Sequence, residues 1–548
     1  MELFFSVATH WLPKIIREFQ KDYPGVEYEL LLRDYTEIEH WIQERRVDCG
    51  FLHLPTLPEV ETIYLEQARL NLKPKIRFTT RDDYAIMSMV EHRLEKNMSK
   101  NRQVVLTEGP ILKALIALAL PIMATSFLNT FYSITDMAWI GMLGSRAVAG
   151  VGVGGMYVWL SQGLSALAKM GGQVNVAQAL GRGRRDEAGQ YACSAVQLTV
   201  IFAVIFAAVC TLFTDELIAL FHVGDVETVR YAVVYTRITC GLVIFSYLTF
   251  VLTGIYTAQG DSKTPLVANF LGLFVNVVLD PLLILGVGPF PRLEVVGAAI
   301  ATVLAQFIVM TVLVLGVIRD GKKNVLSECY LFRSSEKKYY QGIFRIGVPT
   351  ALQSTAYCAI SMVLTRMVAD FGPAAVAVQR VGGQVEALSW NTADGFAASI
   401  NAFSAQNYGA GKTDRIHKGY WIAFRTIAAW GCLIMALFFI FPEPLSEIFF
   451  HEAEAIQISV SYFLIIGISE AFMSVELMTI GALSGLGRTR LCSIISIVFT
   501  GSRIPFAMAL AATPLGLDGI WWAMSLTSVV KGIIFTIVFH RITHNGRS

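Results

Sequence analysis

The chain has 548 residues and a net charge of +2, with 54% hydrophobic and only 16% charged residues. Its mean hydropathy is +0.54. Soluble domains carry closer to a quarter charged residues, so a wholly soluble chain is excluded, while a net charge this small says nothing about partners. The eight cysteines (Cys49, Cys193, Cys210, Cys240, Cys329, Cys358, Cys432 and Cys492) are scattered, without a CxxC or Cys/His cluster. Neither a disulfide framework nor a zinc site is expected. The start, MELFFSVATHWLPK, lacks a basic stretch followed by a long apolar core, so no signal peptide is read.

The first hundred residues read as soluble: they are charged and punctuated by Pro and Gly. Phe5 to Pro55 follows a helix, strand, helix, strand pattern. This stretch resembles the start of the ligand-binding domain of LysR-type transcription regulators. Asn71 to Leu94 (NLKPKIRFTTRDDYAIMSMVEHRL) resembles a later part of that domain. The helix-turn-helix that would bind DNA is absent, as is much of the intervening chain, so no nucleic-acid partner is expected. Residues 1–98 are read as an incomplete α/β segment, dispensable for the activity of the rest.

From Ile111 onward the chain is a series of long apolar runs, each near or above the roughly 20 residues that span a bilayer as a helix. Twelve spans are predicted: 111–140, 147–177, 190–214, 229–258, 264–287, 296–318, 340–369, 374–403, 419–441, 456–484, 490–511 and 517–540. They are too long for barrel strands and do not alternate apolar with polar. With a cytoplasmic N-terminus, the inside loops hold Arg182, Arg184, Arg185, Lys263, Arg319, Lys322, Lys323, Lys412, Arg415, Arg488 and Arg490. The outside loops then hold Arg146 and Arg292 with acids such as Asp215, Glu216, Glu443 and Glu447. That asymmetry places both termini in the cytoplasm, and the expected location is the cell inner (plasma) membrane.

The membrane part repeats itself at a spacing of 228. LALP ending at Pro121 answers IGVP ending at Pro349, and Gly144 answers Gly372. Gly154 and Gly155 answer Gly382 and Gly383. AQALGRGRRD (Ala177 to Asp186) answers AQNYGAGKTD (Ala405 to Asp414). Chance likeness of apolar runs explains Val and Ala matches but not a loop match. Six spans per repeat make the repeats parallel, related by an axis along the membrane normal. The fold expected is an all-α membrane protein of twelve helices in two pseudo-symmetric lobes, 105–322 and 323–548. The loop glycines end helices; neither loop fits a P-loop.

Asp280 lies inside the apolar run NFLGLFVNVVLDPLLILG, with Asn276 one turn before it on the same face. An acid in hydrocarbon costs at least a few kcal/mol and usually faces a cavity where it handles an ion or a proton. At the repeat spacing Asn276 meets Ile504 and Asp280 meets Met508, so the polar set is expected once per chain. Glu470 and Arg503 lie at similar depth on adjacent spans and suit a buried pair. Glu476 lies nearer the cytoplasmic end and suits a solvated cleft. Met123, Phe127, Phe131, Tyr132 and Trp390 suit an adaptable aromatic substrate cavity.

From Leu106 to the C-terminus the chain resembles the MATE (multidrug and toxic compound extrusion) family. The matching residues include LALPIMATSFLNTFYSITDMAWIGMLG, AQALGRGRRDEA, TAQGDSKTPLVANFLGLFVNVVLDPLLILG, AQNYGAGKTDRI and GALSGLGRTR. The resemblance implies a V-shaped pair of six-helix lobes. It also implies export of small organic, often cationic compounds in exchange for Na⁺ or H⁺, with no cofactor and with membrane lipid as surroundings. It carries a cation site over to Asp136, Asn276, Asp280 and Thr302, and a bending proline to Pro121. By the direction of their spans, Asp136, Asp280 and Thr302 all fall in the outer half of the bilayer. Their hard oxygens suit a small cation, and two neighbouring carboxylates also favour a shared proton. At the repeat spacing Asp136 meets Leu364.

Two other functions compete with export. A lipid-linked precursor flippase of the same superfamily would have a cationic central cavity, whereas here most basic residues sit in loops. A membrane-tethered sensor would use the LysR-like segment. No nucleophile–base set is visible, so an enzyme is not expected.

Overall fold

A computed structural model of the chain describes residues 49–52, 62–65, 68–72, 104–221, 225–286, 291–327, 329 and 335–545. The chain divides into two compact units, Met1–Lys96 and Asn97–Ser548. In the first, β1 (Cys49–Leu52), β2 (Thr62–Leu65) and β3 (Ala68–Leu72) form an antiparallel sheet in the order β1-β3-β2. The strand expected to end the Phe5–Pro55 pattern is β1. The rest of that pattern, and most of Asn71–Leu94, lie outside the described residues.

The second unit is helical. The first repeat consists of α1 (Ile111–Gly141), α2 (Ser145–Gly181), α3 (Arg185–Leu212), the short α4 (Thr214–Ala219), α5 (Val226–Gly241), α6 (Ile244–Ala258), α7 (Lys263–Ile284) and α8 (Val295–Asp320). The second consists of α9 (Lys337–Ala369), α10 (Pro373–Gly409), α11 (Thr413–Ile440), the short α12 (Pro442–Glu447), α13 (Ala453–Gly485), α14 (Thr489–Gly501), α15 (Arg503–Ala511) and α16 (Leu517–Asn545). Two expected spans are each built from two helices: α5 with α6, and α14 with α15. Among the described residues eight segments are long and apolar enough to cross a membrane, or nine if α5 and α6, bent by 48°, count as one. The remaining three, α2, α9 and α10, have 37, 33 and 37 residues. They are less apolar along their length, α2 packs against both α9 and α10, and they complete the twelve.

Local geometry repeats with the sequence. Gly144 and Gly372 precede α2 and α10 with φ of 108° and 103°, a conformation that a side chain would strain. Asp225 caps α5 by accepting from the Thr228 amide at 2.9 Å and from its hydroxyl at 2.7 Å. The hydroxyl bond first, then the amide bond and nearby Arg146, hold the Asp225 carboxyl below its ordinary value.

The lobes exchange the starts of their first helices. Leu115, Leu118 and Ala119 of α1 pack in the second lobe's core with Phe403, Tyr420 and Met478. Further along α1, Ile140 packs in the first lobe with Val151 and Ile284. In the same way Ile343 of α9 joins a first-lobe core with Val176 and Ile255, while Leu364 joins a second-lobe core. Pro121 and Pro349 therefore stand where α1 and α9 pass from one lobe to the other. Both helices run through their prolines unbroken.

One expectation is corrected here. Cys193 of α3 is disulfide-bonded to Cys329, with Cα atoms 5.2 Å apart. The two are 136 residues apart in the chain, and spacing alone does not reveal that the segment after α8 folds back onto α3.

Candidate functional site

The polar residues of the first lobe converge from four helices. Asn276 and Asp280 are fully buried one turn apart on α7, and the Asn276 amide donates to Asp280 Oδ1 at 3.1 Å. Asp136 of α1 is also buried. One turn earlier, the Tyr132 hydroxyl donates to Thr302 Oγ1 of α8 at 3.1 Å. Asp136 and Asp280 lie close enough to interact electrostatically with each other, with Tyr132 and with Tyr235 of α5. The structure thus brings Asp136, Asn276, Asp280 and Thr302 together and adds the two tyrosines. Next to Asp280, Pro281 has no N–H to offer, which frees the Val277 carbonyl from its helical bond.

The cluster is rich in acceptors and short of donors. Among the described residues, Asp136 Oδ1, Asn276 Oδ1 and Asp280 Oδ2 are buried without a hydrogen-bond partner. A buried carboxylate oxygen left unpaired costs several kcal/mol. A small cation or a proton placed among these oxygens removes that cost.

In the second lobe the expected Glu470–Arg503 pair is not formed. Arg503 donates instead from Nε to Thr527 Oγ1 at 2.9 Å and from Nη2 to Ser528 Oγ at 2.7 Å. Neither carboxylate oxygen of Glu470 has a hydrogen-bond partner among the described residues. Equal depth on adjacent spans does not specify which way each side chain points. Glu476, expected in a solvated cleft, is 5% exposed and forms an ion pair at 2.8 Å with Lys531 of α16. Glu386 of α10, not singled out from the sequence, accepts a hydrogen bond from the Tyr462 hydroxyl and interacts with Arg503.

The repeat places this second cluster opposite the first, with a correction to the register. Beyond the third span each residue's mate lies one position nearer than the sequence spacing implied. Gly154 packs on Tyr235 as Gly382 packs on Tyr462, and Gly260 and Gly487 share φ of 82° and 76°. With that slip the mate of Asn276 is Arg503 rather than Ile504, and the mate of Asp280 is Ala507 rather than Met508. Burial agrees: Arg503 is 7% and Ala507 0% exposed, whereas Met508 is 61% exposed. The second lobe therefore has a guanidinium where the first has an amide.

The other predicted residues are dispersed. Met123 packs against Gly395 between the lobes, where an added Cβ would come within 2.4 Å of its Cγ. Phe127 is half-buried, while Phe131 and Trp390 are 59% and 43% exposed. Lys169 of α2, not anticipated, lies 4.0 Å from the centre of the Phe250 ring and interacts with Asp394 of α10.

Comparison with known proteins agrees with this architecture. The family model described as MatE matches twice, at residues 121–282 and 349–509. The LysR substrate binding domain model matches residues 3–67. The chain is 29% identical over 436 residues to "Probable multidrug resistance protein NorM" of Thermotoga maritima, covering 78% of this chain and 92% of that one. It is 23% identical to the "FAD transporter" of Shewanella oneidensis (80% and 96%). It is 22% identical to "Multidrug export protein MepA" of Staphylococcus haemolyticus (79% and 94%). Among solved structures, "Outward-facing conformation of a multidrug resistance MATE family transporter of the MOP superfamily" aligns with a TM-score of 0.75 at 23% identity, over 81% of this chain and 99% of that one. "Crystal structure of MATE in the straight conformation" aligns at 0.74 and 24%, over the same shares. A doubled six-helix unit matched once in each half settles the classification: the chain belongs to the MatE family of multi-pass membrane transporters and is not an enzyme.

Proposed function

We propose that the chain is a secondary antiporter that exports organic, often cationic compounds and takes Na⁺ or H⁺ in exchange at Asp136, Asn276, Asp280 and Thr302. The observation that carries this reading is the set of buried, unpartnered oxygens on Asp136, Asn276 and Asp280. Charge inside a membrane bundle marks an ion path, and here the acceptors converge on one spot where, among the described residues, no cationic side chain bonds to them. The named relatives that export drugs support the substrate class. Membership in the MatE family, with its repeated six-helix lobes, supports alternation of access by rocking one lobe against the other. Pro121, where α1 changes lobes, is the bending point in this scheme. We place the protein in the cell inner membrane with both termini cytoplasmic, and take residues 1–98 as a separate segment outside the transport unit.

The test is efflux of a fluorescent cationic dye from proteoliposomes under a Na⁺ gradient or a proton gradient imposed separately. One gradient drives efflux in the wild type, and Asp280→Asn abolishes that dependence. Gradient-driven transport that survives in the variant removes coupling from the first lobe. A flippase of anionic lipid-linked precursors is ranked lower. Arg503 and Lys531, the buried cations of the second lobe, are already bonded to Thr527, Ser528 and Glu476.

A further inference from the structure

The two AQxxGxG loops meet at one end of the second unit. Gly181 of α2 lies against the Gln406 carbonyl, and Gly409 of α10 lies against the Gln178 carbonyl. A Cβ at either would come within 1.9 Å or 2.1 Å of the oxygen. Beside this contact is a cleft of about 540 Å³ lined by Thr107, Leu180, Arg182, Arg184, Gln406 and Lys412, with the backbone of both loops. That volume is within the roughly 300–1,000 Å³ of small-ligand sites.

The charges in the cleft are one-sided. Arg182 and Arg184 come from the first lobe and Lys412 from the second, and among the described residues no carboxylate lines the cleft. Arg184 and Lys412 are repeat mates and flank the pseudo-axis from opposite sides. Glu187 reaches Arg182 at 3.4 Å and Arg184 at 3.5 Å, which offsets one of the three charges. Arg184 remains 69% exposed. Asp186 and Asp414 sit in the first turns of α3 and α11, outside the lining. One wall is held in place: Arg415 donates to the carbonyls of Leu106, Glu108 and Gly109, and Lys412 donates to that of Thr107.

We propose that this cleft binds the phosphate of an anionic phospholipid headgroup, bridging the two lobes. Cationic pockets between transmembrane helices at a membrane face recognise such headgroups. The cleft lies at the ends of α2 and α10, which the positive loop residues assign to the cytoplasmic membrane face, and Leu180 offers an apolar side to the acyl chains. The loop glycines take no part in binding; the charged side chains do. Because the lining comes from both lobes, the site is complete only while the lobes touch at this end. A bound lipid therefore favours that state of the transport cycle.

Native mass spectrometry of the full chain tests this, with phosphatidylglycerol, phosphatidylcholine or inorganic phosphate added separately. The wild type retains phosphatidylglycerol over phosphatidylcholine by about tenfold, and Arg184→Glu with Lys412→Glu removes most of that preference. The conservative Arg184→Lys with Lys412→Arg keeps it, as does Lys337→Glu at the start of α9. Equal retention of the two lipids by the wild type overturns the proposal, as does an undiminished preference in the charge-reversed variant. Phosphate bound in place of lipid overturns the lipid assignment.

Discussion

Gln173 donates from Nε2 to Asn401 Oδ1 at 3.0 Å, and the two residues are 228 apart in the chain. They are mates in the repeat, so a direct bond between them puts both on the pseudo-two-fold axis. Around it the contacts come in reciprocal pairs. Gln178 donates to the Gly485 carbonyl at 2.9 Å, and Gln406 donates to that of Ala258 at 2.7 Å. This end of the lobe interface is nearly isologous, like a two-fold dimer interface within one chain.

The on-axis amides should be coupled. Gln173→Leu or Asn401→Leu alone leaves a buried amide without its partner and costs about 1–3 kcal/mol. The double variant should cost less than the sum of the singles. Thermal unfolding in detergent, treated as a double-mutant cycle, reads the coupling; strict additivity would contradict it.

Gly181→Val or Gly409→Val should pry the lobes apart where they touch. Backbone opposes the new side chain at each position, and overpacking of this kind costs about 1–3 kcal/mol. Spin labels on α2 and α10 near the loops should show a wider distance distribution than in the wild type. An unchanged distribution would mean that the contact is not rigid.

The Glu476–Lys531 pair should behave as a buried unit. Lys531→Met alone strands a buried carboxylate and should destabilise by about 3–5 kcal/mol, whereas Lys531→Met with Glu476→Leu should recover most of the loss. Melting temperatures of the three variants decide it. A double variant as unstable as the single would point to a role for Glu476 beyond its pairing.

At the rim, the cap on α5 gives a pH signature. The Asp225 carboxyl titrates below its ordinary value because Thr228 and Arg146 favour its charged form. Its stabilisation is therefore complete above the ordinary carboxylate range and disappears as pH falls through the lowered value. Asp225→Ala should melt slightly below the wild type at neutral pH and together with it in strong acid. A gap that persists in acid would contradict the assignment.

Deleting residues 1–100 should leave insertion and dye transport intact. Loss of transport in a normally inserted variant would show that the LysR-like segment serves the transporter.

Much of this was legible in the sequence, for physical reasons that also mark where legibility ends. Asp280 was visible because a charge in an apolar run is costly and therefore informative. Lys531, within SLTSVVKGIIF, meets the same criterion, and its partner on α13 becomes clear only in three dimensions. Tyr235 carries no such signal, since a tyrosine in an apolar helix is ordinary until the neighbouring helices are known. The Glu476–Lys531 pair needs the adjacency of α13 and α16, and the Glu470–Arg503 expectation failed because depth along a helix leaves its rotation open. The repeat was visible in its loops, but a one-residue slip beyond the third span hid the equivalence of Asn276 and Arg503.

That equivalence has a consequence for how the two lobes experience their surroundings. In the first lobe the cluster around Asn276 holds two carboxylates, Asp136 and Asp280, and among the described residues no guanidinium or ammonium group bonds to them. In the second lobe the positive charge is covalently part of the chain and travels with it through every conformation. On the antiport reading proposed above, a change in bath cations acts first on the half that carries Asp136 and Asp280. Membrane voltage acts on both, because a fixed charge displaced across the field does work whatever ions are present.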